Sequence, residues 1–246
     1  MKICLAQSRA VTGNIEQNIE RHRVFVETAV SHQANLIIFP ELSLTGYEPT
    51  LAQALAIQSD DPLLDDFQAL ADTNQITIGV GMPTHNQPRP CISLVIFQPN
   101  QPRYTYSKQY LFPDEEVFFV RGPASTGLID HSKNIALAIC YEISVPQHAE
   151  DAFYNKAKMY MASVAKSVKG TQQAHKRLSK IAGQYGMMAF LSNCVGVADG
   201  VTCGGQSAVW NDRGLLLGQL DDSNEGLLIF DTDTQISLAL SISVER

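Results

Sequence analysis

Glu41 follows the apolar run Leu36-Ile37-Ile38-Phe39-Pro40, and Cys140 follows Ile135-Ala136-Leu137-Ala138-Ile139. A carboxylate at the rim of a core is partly desolvated, which raises its pKa toward what a general base needs near neutrality. A thiol at a strand-to-turn junction projects into a cleft, and the following Tyr141 N–H faces the same space, where an oxyanion can develop. Lys108 lies among aromatics in Tyr106-Ser107-Lys108-Gln109-Tyr110-Leu111-Phe112, with Pro113-Asp114-Glu115-Glu116 next. An ammonium desolvated by such neighbours keeps its charge opposite a carboxylate and stabilises a thiolate or an oxyanion. Each residue alone also fits a plainer role: a solvated loop glutamate, a core cysteine and a snorkelling surface lysine.

The elements that must position these groups alternate between strand-like and helix-like. Asn14 stands where a cap precedes a helix carrying Ile15, Ile19, Val26 and Ala29 on one face, and His22 on that line reads as a partly buried helix residue. Asp61-Pro62 predicts a capped helix running to about Asn74, and Gln172 to Gln184 predicts another. Strand candidates are the N-terminal segment, Leu36–Phe39, Ile76–Val80, Ile92–Phe97, Ile135–Ile139, Met159–Val164, Met188–Ser192, Ser207–Trp210, Leu215–Gly218 and Leu227–Phe230. The run at 135–139 is too uniformly apolar to have one wet face. Asn211-Asp212-Arg213-Gly214 reads as a hairpin turn. Many strands with interspersed helices indicate a layered α/β domain, without fixing its topology.

The chain has 246 residues, 45% hydrophobic and 17% charged, which suits one globular domain, or two at most. A formal net charge of −7 without a basic stripe argues against a nucleic-acid or anionic-membrane surface. No apolar run reaches the roughly 18 residues of a membrane span, and the N-terminus lacks a signal-peptide pattern. The five cysteines (Cys4, Cys91, Cys140, Cys194, Cys203) are scattered, which fits free thiols in a reducing cytoplasm better than a disulfide framework or zinc site. No metal or organic cofactor is expected.

Phe39-Pro40-Glu41-Leu42-Ser43-Leu44-Thr45-Gly46-Tyr47, Lys108-Gln109-Tyr110-Leu111-Phe112 and Ile139-Cys140-Tyr141-Glu142 resemble the three catalytic blocks of the nitrilase (carbon–nitrogen hydrolase) superfamily, in its order. The likeness extends from a first strand at Met1–Gln7 to a late hairpin at Gly204–Trp210, so residues 1–246 read as a single domain of that kind. It implies a four-layer αββα sandwich, commonly paired into a homodimer. By the same resemblance Glu41 is the general base, Lys108 the oxyanion-stabilising cation, Cys140 the nucleophile and the Tyr141 N–H part of the oxyanion hole. Glu116 resembles a further active-site glutamate of amidase branches, with Glu115 as the competing assignment. Lys166 lies where the family lines its substrate pocket and would favour an anionic group; an exposed loop lysine is the alternative. Gln184 stands where a glutamate is usual, which weakens assignment to a named branch.

The chemistry implied is attack of Cys140 on a small amide, a thioester acyl-enzyme, and release of ammonia. An ω-amide of a carboxylic acid is one candidate substrate, and an N-carbamoyl amine or amino acid is another. A nitrile is less favoured, because tryptophan rather than Tyr141 typically follows the nucleophile in nitrilases. A catalytically silent interaction module is the non-enzyme alternative, with no reason to keep Glu41, Lys108 and Cys140 together.

Overall fold

The computed structural model describes residues 1–129 and 135–243. The first half contains β1 (Lys2–Gln7), α1 (Ile15–Ser31), β2 (Leu36–Ile38), α2 (Ala52–Leu55), α3 (Asp65–Asn74), β3 (Thr77–Thr84), β4 (Cys91–Phe97) and β5 (Tyr104–Ser107). The second half runs through β6 (Leu128–Ile129), β7 (Ile135–Ile139), α4 (Pro146–Tyr154), β8 (Met159–Val164), α5 (Val168–Tyr185) and β9 (Met188–Asn193). It closes with β10 (Val197–Ala198), β11 (Val201–Thr202), β12 (Ala208–Trp210), β13 (Leu216–Gln219), β14 (Gly226–Asp231) and β15 (Ser237–Ser241).

One sheet has the strand order β15-β14-β1-β2-β3-β4-β5 and the other β13-β12-β9-β8-β7-β6, with β10 and β11 forming a separate small hairpin. The centres of both sheets are parallel, β1-β2-β3 in one and β7-β8-β9 in the other. Parallel strands need crossover helices, and those helices cover the outer faces.

Side-chain alternation then decides the layers. Ile3, Leu5, Leu36 and Ile38 meet Leu137, Ile139, Met161 and Phe190 between the two sheets. Their neighbours Cys4, Ala6 and Ile37 face the other way, against Phe25 and Val26 of α1 and Phe67 of α3. On the far side Ala136, Ala138 and Ala162 pack against Ala149 and Ala152 of α4 and Ala174 and Leu178 of α5. The result is the four-layer αββα sandwich. Both faces of the central strands are dry, which is why they read as continuous apolar runs. Each large core side chain contributes about 1.5–3 kcal/mol by leaving water.

Two buried hydroxyls couple the sheets. Ser163 Oγ donates to the Phe39 carbonyl at 2.8 Å, and Ser192 Oγ to the Ala6 carbonyl at 2.6 Å. They lie near the carboxyl ends of parallel strands, where α/β sheets commonly place their ligands.

Local signals mostly meet their expectations. Asn14 Oδ1 accepts the Gln17 N–H at 3.0 Å, and Asp61 Oδ1 accepts the Leu63 N–H at 2.9 Å above a 3₁₀ turn that leads into α3. Asn211 Oδ1 accepts the Arg213 and Leu215 N–H groups at 3.0 Å in the turn between β12 and β13. The helix expected from Gln172 begins earlier, at Val168, because Ser167 Oγ caps it through the Gly170 N–H at 3.2 Å. His22 is buried, bonded to the Asn18 carbonyl at 2.6 Å and Ser43 Oγ at 2.9 Å, and stacked on Phe39. Among the described residues, no helix is long and apolar enough to cross a membrane.

Candidate active site

Glu41 lies just past β2, where Pro40 ends the strand. A Cβ on Gly81 of β3 would lie 2.4 Å from the Pro40 carbonyl and 2.5 Å from the Leu42 nitrogen, so only glycine lets β3 back this segment so closely. Lys108 follows β5, with its N–H on the Ile92 carbonyl and its own carbonyl accepting from Gly122, both at 2.8 Å. Gly122 is pressed onto Ser107 in the same way; a Cβ there would meet Ser107 Cβ at 2.4 Å. Cys140 directly follows β7 with φ +44°, a left-handed conformation that costs a non-glycine residue of order 1–3 kcal/mol and recurs at functional sites.

These three strand ends converge. Lys108 Nζ donates to Glu41 Oε1 and to Glu115 Oε1, each at 2.7 Å, and all three side chains are buried. Glu41 Oε2 accepts the Ala165 N–H at 3.2 Å, from the residue after β8. Glu115 Oε1 also accepts from the Tyr47 hydroxyl at 2.8 Å, and Oε2 from the Phe112 N–H at 2.7 Å.

The electrostatics follow from one ammonium shared by two carboxylates. Burial pushes Glu41 up, Lys108 opposes this, and the Glu115 charge adds to it, while a hydrogen bond from Cys140 favours the ionised form. Burial alone would lower Lys108, but the charges of Glu41 and Glu115 outweigh it and hold the ammonium charged. Cys140 is pushed up to about 11, by burial first and then by Glu41, against the opposing pull of Lys166 and Lys108. The resting sulfur is therefore a thiol beside a carboxylate of raised proton affinity, an arrangement suited to concerted proton removal.

A third buried carboxylate, Glu142, ties the loops together. Glu142 Oε2 accepts the Ile139 N–H at 2.7 Å and the Tyr106 hydroxyl at 2.9 Å. Its Oε1 accepts the Gln109 N–H at 2.6 Å and the Tyr110 N–H at 3.3 Å. The network continues through Tyr106 Oη to His148 Nε2 at 2.8 Å and from His148 Nδ1 to Tyr160 Oη at 2.7 Å.

Cys140 and Glu115 open onto a cavity of about 390 Å³, lined also by Tyr47, Phe112, Tyr141, Lys166 and Arg177. Glu41 lies behind it, beside a void of about 20 Å³. Larger surface hollows exist, but the one lined by Arg9, Arg21 and Glu225 holds none of the converging groups. The Tyr141 ring stands edge-on to Phe112, with centroids 5.5 Å apart. Neither Lys166 nor Arg177 forms an ion pair among the described residues; Arg177 Nη1 donates to Ser144 Oγ at 2.7 Å. Among the described residues no cluster of three His, Cys, Asp or Glu side chains is arranged to hold a metal ion.

Of the residues expected from sequence, Glu41, Lys108 and Cys140 come together, and Tyr141 and Lys166 line the cavity. Glu116 does not. It is exposed and paired with Arg121 at 3.1 Å, while Glu115 points inward. The 3₁₀ turn Pro113–Val117 rotates successive side chains by about a third of a turn, so only one of the two neighbours can face Lys108. Sequence reasoning missed Tyr47, Glu142 and Arg177. Glu142, next to the Cys140-Tyr141 pair, carried a signal, since a carboxylate in the turn that leaves a buried strand needs donors.

The carbon–nitrogen hydrolase family model matches residues 2–238. An (R)-stereoselective amidase from Pseudomonas sp. is 26% identical over 151 residues, covering 60% of this chain and 54% of the relative, so the match spans about half of that protein. A probable nitrilase from Schizosaccharomyces pombe is 21% identical over 228 residues, covering 89% and 84%. A glutamate-to-glutamine mutant of the amidase from Nesterenkonia sp. AN1, solved after Michael addition of acrylamide at its active-site cysteine, superposes with TM-score 0.85 at 22% identity. That match covers 94% of this chain and 92% of the other. A variant of the same amidase was solved in complex with butyramide, again with TM-score 0.85.

Proposed function

This chain belongs to the carbon–nitrogen hydrolase family, and from that premise we propose that it is an amidase that releases ammonia from a small aliphatic amide through a thioester on Cys140. The observation that carries the reading is Lys108 Nζ held 2.7 Å from both Glu41 and Glu115 behind a cysteine that opens onto a cavity.

Glu41 takes the Cys140 proton as sulfur attacks the carbonyl carbon, so no free thiolate has to accumulate. The oxyanion that forms is met by Lys108 and the Tyr141 N–H, donors fixed before the reaction begins. The C–N bond breaks, Glu41 returns the proton to nitrogen, and ammonia leaves. Glu41 then removes a proton from water, which attacks the thioester and frees the acid and the thiol. Glu115 orients Lys108 and, from the cavity wall, can accept an amide N–H. Similarity to the Pseudomonas and Nesterenkonia amidases supports the substrate class.

Lys166 and Arg177, cations without an ionic partner among the described residues, support a carboxylated ω-amide as the preferred substrate. Exposed Leu215, Leu216, Ile236 and Leu238 about the edge strands β13 and β15 support a homodimer. Five unbridged cysteines support a cytoplasmic location.

The test is ammonia release across short aliphatic amides, ω-amides, N-carbamoyl compounds and nitriles. Amides should be turned over fastest. Faster hydrolysis of any nitrile or N-carbamoyl compound would overturn the substrate class.

A further inference from the structure

The cavity that holds Cys140 has a second thiol in its wall, Cys203, and Cys203 has a partner thiol directly against it. Cys194 Sγ lies 2.8 Å from Cys203 Sγ, and Cys203 faces the cavity beside Ala198, Asp199 and Val201. The backbone holds the two residues opposite each other independently of the side chains. The Cys203 N–H donates to the Gly196 carbonyl at 2.8 Å, and the Gly205 N–H to the Cys194 carbonyl at 3.1 Å. A sub-ångström approach closes the sulfur gap to the roughly 2.0 Å of a disulfide. The proposed reaction does not use either thiol.

We propose that Cys194 and Cys203 are a reversible thiol–disulfide modification site, oxidised by a low-molecular-weight disulfide that enters through the substrate cavity. Cys203 attacks one sulfur of the incoming disulfide, the S–S bond breaks, and one small thiol leaves carrying the Cys203 proton. Cys194 then attacks the Cys203 sulfur of the mixed disulfide and expels the second small thiol with its own proton. The two protein thiols lose two electrons in total, and the small disulfide is reduced to two thiols.

The direction of attack follows from which thiol lines the cavity, and the polarity of the pair agrees with it. Cys194 donates its S–H to Cys203, which holds Cys203 below the usual thiol range against the opposing effect of burial. The same bond and burial raise Cys194. Cys203 is the one of the two that lines the Cys140 cavity, so it meets the incoming disulfide first, and Cys194, which borders the small void beside Glu41, resolves. The resulting bond fixes the β10–β11 hairpin as one wall of the cavity.

The experiment equilibrates the wild-type chain and the Cys140→Ala variant with glutathione buffers of increasing oxidised fraction, followed by alkylation and peptide mapping. In both proteins the tryptic peptide 181–213, which carries both Cys194 and Cys203, should escape alkylation and lose the mass of two hydrogens, and dithiothreitol should restore two alkylatable thiols. Cys203→Ser should leave Cys194 alkylatable throughout. Full alkylation of both residues at every ratio, or a glutathione adduct that persists on Cys203 without the internal bond, would overturn the proposal. Because Cys140→Ala lacks the proposed nucleophile, neither result depends on the amidase reading.

Discussion

Glu142 Oε1 accepts the Gln109 backbone N–H at 2.6 Å, so the carboxylate beside the Cys140-Tyr141 pair holds the residue that follows Lys108. Its other oxygen holds the residue before Cys140, Ile139, at 2.7 Å. One buried side chain thus sets the spacing of two strand ends that belong to different sheets.

Glu142→Gln places an NH₂ group against donors that need acceptors. Stability should fall by roughly 3 kcal/mol, the scale of losing charge-assisted hydrogen bonds in a buried site. Turnover should fall about tenfold or more with little change in KM, because misplacing Lys108 weakens the transition state more than the ground state. Thermal unfolding and steady-state kinetics check both; unchanged kcat in a destabilised protein would leave Glu142 with a structural role alone.

The two neighbouring glutamates should behave oppositely. Glu115→Gln removes a charge 2.7 Å from Lys108 and should cost about two orders of magnitude in kcat/KM. Glu116→Gln breaks only an exposed pair with Arg121, worth at most about 1 kcal/mol, and should leave turnover near normal. The reverse pattern would return the role to Glu116.

Glu41 acts as a base only when ionised, so kcat/KM should fall as pH drops through its folded pKa. Burial first, and the Glu115 charge next, place that pKa above the ordinary carboxylate range, and the acid limb should lie there too. No alkaline rise from free Cys140 thiolate is expected below about 11. A pH–rate profile that climbs steadily with thiolate formation would show that Glu41 is not needed to remove the proton.

A substrate carboxylate that reaches Lys166 gains a charge-assisted contact of about 1.5 kcal/mol, near a tenfold preference over the uncharged analogue. Lys166→Ala should lose that preference and, because the Lys166 charge also opposes the raised pKa of Cys140, slow both substrates. The measurement is kcat/KM for an ω-amide and its neutral analogue in both enzymes. An unchanged ratio would remove Lys166 from substrate recognition.

Much of this architecture is readable from the sequence, for physical reasons that differ by region. The strands before Glu41 and Cys140 stand out because both their faces are dry, and Asn14 and Asp61 mark helix starts through bonds within their own turns. Strand β5, helix α4 and strand β15 are not apparent. Tyr104 is only half-buried, Pro146 follows a turn without a side-chain cap, and β15 lies on an edge with mixed exposure. Within the site, Glu41, Lys108 and Cys140 each fit a plainer role on residue type alone and stand out through the resemblance of their three ordered blocks to the carbon–nitrogen hydrolases, whereas choosing Glu115 over Glu116 depends on the phase of a single 3₁₀ turn. Tyr47 and Arg177 depend on long-range packing that local patterns do not encode.

The central claim is that Cys140 carries the acyl group, and the direct measurement is ammonia release from a short aliphatic amide by wild type and by Cys140→Ala, matched for thermal stability. The account predicts a loss of about four orders of magnitude or more, the scale on which removing a nucleophile acts. Turnover by Cys140→Ala within roughly tenfold of wild type would contradict it.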